Sequence, residues 1–253
     1  MTVEQQVPIQ LAKKIFSLID LTSLNDNDTE ATITTLCHQS TANFGHVAAV
    51  CLYPQFVRHA RKCLQNSPVK IATVANFPAG IAPADEILKS IRQSIENGAD
   101  EIDVVFPFHD FLNGDRESPK KLIQACKKMG GDKILLKVIL ETGAIQDPRL
   151  IAEASQDALQ AGADFIKTST GKIAIGATLD AATAMLQVIR QLTPALKRPL
   201  GLKVSGGVRT LEQASEYIAL AEDIMGKEWI TPNTFRIGAS QLVDVILDVT
   251  KHL

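Results

Sequence analysis

A (β/α)8 barrel, one domain over residues 1–253, is the fold this sequence predicts, on three observations. A short apolar strand followed by a helical run recurs eight times, with no Pro/Ser-rich linker, charge block or low-complexity tract between repeats. Charged residues stand inside the strands, at positions that a barrel would turn inward. Glycine turns suited to an anion follow the seventh and eighth strands, a recurrent barrel arrangement. An open doubly wound sheet fits less well. No GxGxxG follows the first strand, and the candidate site residues are spread over many strands.

Taken in order, residues 17–21 (SLIDL) read as the first strand and 29–39 as its helix. Residues 47–52 form the second strand, and Pro54 starts a helix to about Leu64. The third strand is 71–76, with Pro83 opening a helix to Asn97; the fourth is 101–106, with a helix near 119–129. The fifth is 134–140, and Asp147-Pro148 caps a helix to Ala161. Residues 165–167, 200–204 and 235–237 complete the strands, followed by helices over 178–192, 210–225 and 241–250. Near-identical helix-to-strand turns, NGAD at 97–100 and AGAD at 161–164, form a faint internal repeat.

Composition narrows the function. The chain has 253 residues, 45% hydrophobic, and a net charge of -2, so no overall basic surface recruits nucleic acid or an anionic membrane. The N-terminus lacks a signal-peptide layout, and the longest apolar run, residues 47–53, is far too short to span a bilayer. Cys37, Cys51, Cys63 and Cys126 show no CxxC spacing, which fits reduced thiols in a cytoplasmic protein. The five histidines show no HxH or HExxH spacing, so neither a metal-dependent mechanism nor a cofactor is expected.

The strand charges carry the chemistry. With a period of two, the apolar neighbours in each strand face the helices, leaving Asp20, Asp103, Lys137, Lys167 and Lys203 inside. Any one of these has an ordinary explanation as half of a satisfied ion pair. All five do not, because apolar packing replaces a purely structural network at little cost. Two aspartates and three lysines also leave an excess of positive charge, which favours deprotonating one lysine or binding an anion.

A neutral lysine is the nucleophile that forms a Schiff base with a carbonyl. Lowering a lysine pKa from about 10.4 to about 7 amounts to roughly 4–5 kcal/mol, which two nearby ammonium groups in a partly dry barrel mouth supply. Lys167 is the better candidate because GADFIKTSTGK (residues 162–172) runs from it into a Thr/Ser/Gly turn ending in Lys172. Spacing alone leaves Lys203 open. The turn at 168–172, SGGVR at 205–209 and GAS at 238–240 together suit an anionic oxygen or phosphate.

These residues sit in segments that resemble class I deoxyribose-phosphate aldolase: DLT, DEIDVVF, LLKVILETG, GADFIKTSTGK, GLKVSGGVR and RIGAS, in order over nearly the whole chain. The resemblance implies reversible cleavage of 2-deoxy-D-ribose 5-phosphate to acetaldehyde and D-glyceraldehyde 3-phosphate, in deoxyribose phosphate breakdown. It makes Lys167 the Schiff-base lysine, Lys203 the cation that depresses its pKa, and Asp103 the proton-transfer carboxylate, acting through water. Asp20 and Lys137 become supporting polar residues, and Gly171, Lys172, Gly206, Gly207, Gly238 and Ser240 hold the phosphate. The only expected partner is the sugar phosphate, with a homodimer as the assembly to test. One feature departs from the family: some members end in a catalytic tyrosine, whereas the only tyrosines here are Tyr53 and Tyr217.

Overall fold

The computed structural model describes residues 9–250. Its eight barrel strands are β1 (Ile19–Thr22), β2 (Ala49–Leu52), β3 (Lys70–Ala75), β4 (Glu101–Val105), β5 (Leu135–Ile139), β6 (Phe165–Lys167), β7 (Gly201–Ser205) and β8 (Phe235–Ala239). All pair in parallel with their sequence neighbours, and β1 pairs with β8 to close the barrel. The predicted fold class holds, and the observed strand ends lie within one or two residues of the expected ones.

The one-residue alternation divides the strands as expected. Leu21, Val50, Val104, Val138, Ile166, Leu202 and Ile237 face outward into a continuous apolar layer beneath the helices. A second, smaller apolar cluster lies apart from that layer: Ala49 and Cys51 on β2, Ala72 and Val74 on β3, with Leu24 above them. The helices form where capping chemistry satisfies their first amides. Thr29 caps Glu30–Gln39 and Thr210 caps Leu211–Met225, each in a reciprocal capping box, while Asp147 accepts from Arg149 at the start of Pro148–Gln160.

Three differences from the sequence reading have physical causes. Helix Ile9–Ser17 precedes β1, burying Ala12, Ile15 and Phe16 in the apolar layer, so the first strand starts at Ile19 rather than residue 17. The helix expected from Pro54 begins as a 3-10 turn, Pro54–Phe56, and becomes α-helical only over Val57–Cys63. Helix Leu179–Leu196 runs past the expected end at 192 and carries Pro194 in its last turn.

Candidate active site

Strand register brings the inward charges level with one another. Asp103 stands opposite Lys137, Lys167 opposite Lys203, and Lys203 opposite Arg236. Asp103 is the hub. Its Oδ1 accepts from Lys137 Nζ at 2.8 Å, and its Oδ2 accepts from both Lys167 Nζ at 2.9 Å and Lys203 Nζ at 2.8 Å. Lys203 Nζ also lies 2.6 Å from Asp20 Oδ2, while Lys137 Nζ is 2.5 Å from Glu101 Oε2. Arg236 completes the network below, 2.6 Å from Asp20 Oδ1 and 3.0 Å from Glu101 Oε1. All seven side chains are buried.

The five charges expected inside are thus brought together, and two more join them. Glu101 and Arg236 escaped the sequence reading although the same alternation points to both. Glu101 is two residues before Asp103, and Arg236 lies between the outward Phe235 and Ile237. With these included, three carboxylates face four cations, so the positive excess persists. A neutral Lys167 would bring the network to balance.

The electrostatics single out that lysine. Burial is the strongest influence on Asp20, Asp103, Lys137, Lys167, Lys203 and Arg236, and its sign opposes charge. For Lys137 and Lys203, adjacent carboxylates outweigh burial and hold both lysines above the ordinary lysine range. For Asp103, burial pushes the carboxyl up, but Lys137, Lys167 and Lys203 together hold it well below its usual value. Lys167 goes the other way: burial, assisted by Lys203, lowers its pKa despite the opposing pull of Asp103. Desolvation thus leads and the neighbouring cation assists, the reverse of the emphasis drawn from sequence.

Above Lys167, three strand-end loops are stitched together. Thr168 Oγ1 donates to Ser205 O (2.9 Å), Ser205 Oγ donates to Ser169 O (2.6 Å), and Ala177 N donates to Gly206 O (2.9 Å). The approach is so close that a Cβ on Gly176 would stand 2.2 Å from Gly206 O. Glu141, in a left-handed conformation just after β5, accepts from Thr170 Oγ1 at 2.5 Å and Thr170 N at 3.2 Å. No sequence signal marked Glu141, because its role depends on a backbone conformation that only the assembled mouth imposes.

The expected phosphate residues fall into distinct surroundings. Gly171 and Gly207, both at positive φ, have open space where a side chain would be. Lys172 Nζ reaches across the mouth to donate to Leu24 O at 2.6 Å. Gly206 is packed against Gly176. Gly238 faces the interior, where a Cβ would lie 2.8 Å from Ser205 Cβ and 3.1 Å from Lys203 Cε, so its lack of a side chain makes room for the network. Ser240 is exposed and lines a 410 Å³ depression with Thr22, Ser23 and Asn25.

A larger cavity of 760 Å³ opens at the opposite, N-terminal end of the strands, beside His46, Lys70, Asp164 and Arg198. Its charges are mostly paired with each other, Lys127 and Arg198 both to Asp164, and it reaches only Glu101 and Arg236 of the network. The depressed lysine and the open glycine backbones lie at the C-terminal mouth, where barrel enzymes place their chemistry.

A closed parallel barrel with a buried lysine–carboxylate network is the framework of a barrel enzyme. The chain belongs to the DeoC/LacD family of aldolases, whose model matches residues 14–241. It is 45% identical over 250 residues to the deoxyribose-phosphate aldolase of Agrobacterium fabrum, covering 98% of this chain and 95% of that one. Among solved structures, the tetrameric deoxyribose phosphate aldolase of Aeropyrum pernix superposes with a TM-score of 0.74 at 25% identity, covering 96% and 97% of the two chains. A Toxoplasma gondii protein assigned to the same activity shares the fold, with a TM-score of 0.86 at 22% identity over 96% and 95%. Among the described residues, no helix is long and apolar enough to cross a membrane.

Proposed function

We propose that this aldolase cleaves 2-deoxy-D-ribose 5-phosphate reversibly to acetaldehyde and D-glyceraldehyde 3-phosphate through a Schiff base on Lys167. The observation that carries the reading is the odd charge in the buried network. Of four cations, Lys167 alone is pushed toward the neutral, nucleophilic form. The A. fabrum relative supports the substrate.

The neutral amine of Lys167 adds to the open-chain sugar's aldehyde, and loss of water gives an iminium. That cation draws electrons from the C2–C3 bond as a base removes the proton from the C3 hydroxyl. Glyceraldehyde 3-phosphate leaves, the enamine is protonated at C2, and hydrolysis frees acetaldehyde and Lys167. Asp103 is held too acidic by its lysines to be a strong base directly, which favours proton transfer through a water that it orients. Lys203 keeps its proton against burial because Asp103 and Asp20 flank it, so it remains the fixed cation beside Lys167. Asp20 and Lys137 hold Lys203 and Asp103 in place.

Gly171, Lys172, Gly206, Gly207, Gly238 and Ser240 are the proposed phosphate residues. Open backbone at Gly171 and Gly207 supports this, and Lys172 would exchange the Leu24 carbonyl for the phosphate. Gly238 acts by leaving space for Lys203 as well as through its backbone. The proposed setting is a single domain over residues 1–253 in the cytoplasm, and sedimentation would test the homodimer.

The decisive experiment is borohydride reduction in the presence of acetaldehyde, followed by peptide mass mapping. The label is expected on Lys167; a label on Lys203 would reverse the assignment. Product analysis with deoxyribose 5-phosphate separates this reaction from a transaldolase-like one. Binding of that sugar without covalent trapping would mark a sugar-phosphate binding protein instead.

A further inference from the structure

Outside the barrel wall, helices Glu30–Gln39 and Val57–Cys63 pack side by side. Helical spacing puts Glu30, Thr34 and Cys37 along one ridge and His59 and Cys63, four residues apart, along the facing one. The ridges meet in a connected polar cluster that plays no part in the aldol site. Cys63 Sγ lies 3.6 Å from His59 Nε2, and His59 Nδ1 lies 3.5 Å from Glu30 Oε2. Thr34 Oγ1 is 2.8 Å from the same Nε2, 4.0 Å from Cys63 Sγ, and within donating distance of Glu30 O at 2.9 Å.

Cys63 is exposed, whereas Cys37 is buried beneath it. Cys37 follows Thr34 on the same ridge, near enough to Cys63 for the two thiols to interact electrostatically, and burial, with Cys63 alongside, pushes Cys37 up to about 12. Among the described residues no His, Cys, Asp and Glu cluster has the geometry of a metal site, so this group is not read as one.

We propose that Cys63 is a hydroperoxide-reactive thiol and that Cys37 resolves it, closing a reversible disulfide between the two helices. A base, an exposed sulfur and a second thiol nearby are the three components such a site requires. His59 Nε2 takes the proton of Cys63, while Glu30 holds the opposite ring nitrogen. Thr34 accommodates both ring states. It turns its hydrogen to Glu30 O, leaving the Nε2 lone pair open to the Cys63 proton, and accepts from Nε2 once that nitrogen is protonated.

The Cys63 thiolate attacks one oxygen of hydrogen peroxide. The S–O bond forms, the O–O bond breaks, and the departing hydroxide takes the proton held by His59 and leaves as water. Cys37 sulfur then attacks the sulfenic sulfur of Cys63. The S–S bond forms, the S–O bond breaks, and the hydroxyl leaves with the Cys37 proton as a second water. In total two thiols lose two electrons and two protons, and one peroxide is reduced to two waters. The thiols sit on the facing ridges of two packed helices, so the closing step needs a local approach of those helices to the S–S distance of about 2.05 Å.

The test treats the full chain with hydrogen peroxide, blocks free thiols by alkylation, and maps peptides under non-reducing conditions. A Cys37–Cys63 linked peptide is expected, removed by dithiothreitol, with Cys51 and Cys126 still free after unfolding. Cys63→Ser abolishes the linkage. Cys37→Ser, or Cys37→Ala should the serine not fold, leaves Cys63 to progress to the sulfinic acid. His59→Gln slows linkage by about tenfold or more, below the usual 10²–10⁴ for general-base loss because a thiolate forms unaided to some extent. Circular dichroism checks that each variant is folded. Absence of the linked peptide in the wild type, or an unchanged rate in folded His59→Gln, overturns the proposal.

Discussion

Two sides of one barrel interior are built on opposite principles. From β4 round to β1, the strands contribute Glu101, Asp103, Lys137, Lys167, Lys203, Arg236 and Asp20, all buried and ion-paired. Strands β2 and β3 contribute only Ala49, Cys51, Ala72 and Val74. The charged side is costly to bury and holds together because every charge has a partner. The apolar side is cheap to bury and offers no hydrogen bonds. What distinguishes Lys167 from its neighbours is how few carboxylates offset its burial. It contacts one carboxylate, whereas Lys203 contacts two and Lys137 three. All three lysines are buried, and the one with the least compensation is the one pushed toward the neutral form.

The sharpest way to break this comparison is at the hub. Asp103→Leu should reduce turnover by about 10²–10⁴, the range for lost acid–base catalysis. It should also destabilise the fold by about 3–5 kcal/mol, because three buried lysines lose a shared acceptor. Steady-state cleavage and urea unfolding measure the two effects. Near-normal turnover in the folded variant would remove Asp103 from proton transfer.

Lys203→Leu comes next. In the proposed mechanism Lys167 reacts as the free amine, so activity should fall as pH drops through its pKa, which lies below the ordinary lysine value. Removing the adjacent cation raises that pKa and moves the acid limb of the pH–rate profile upward. Each unit of movement costs about tenfold at neutral pH, so a loss of roughly ten- to a hundredfold is expected, with partial recovery at alkaline pH. An unshifted limb would mean that Lys203 acts by some other route.

The apolar side gives the contrasting result. Val74→Ala removes two buried methyl groups and should cost about 1.5 kcal/mol of stability, read from unfolding curves. With no charge altered, the pH–rate profile should stay where it is. A large shift would show that this wall, and not the cations, dominates the tuning.

The smallest effect is expected at the C-terminus. Tyr217 is buried in helix Leu211–Met225, where burial pushes it up to about 12, and Tyr53 packs edge-on against Phe77. Neither lies in the last helix, Leu242–Val249, or after it. Removing the residues after Asp248 should therefore leave catalysis within about tenfold, an effect of about 1.4 kcal/mol or less on the barrier. Exchange of acetaldehyde methyl hydrogens with deuterated solvent reports the proton step. Its loss in a folded truncation would make this C-terminus a catalytic tail.

Features governed by local period were legible in the chain. Alternation in short strands turned Asp20, Asp103, Lys137, Lys167 and Lys203 inward, and would have turned Glu101 and Arg236 inward had it been followed to the strand ends. Apolar residues three and four apart in Ile9–Ser17 likewise carried an unread helix. Tertiary structure alone decided which charges meet. Arg236 and Asp20 are 216 residues apart, and Lys172 and Leu24 are 148 apart, distances bridged only by closing β8 onto β1 and gathering the loops at one end. It also decided why Lys167 is the lysine set apart. The three lysines are all buried, but the number of carboxylates each meets varies with the register of strands far apart in the chain, and a pKa reports that surrounding volume rather than the residues on either side.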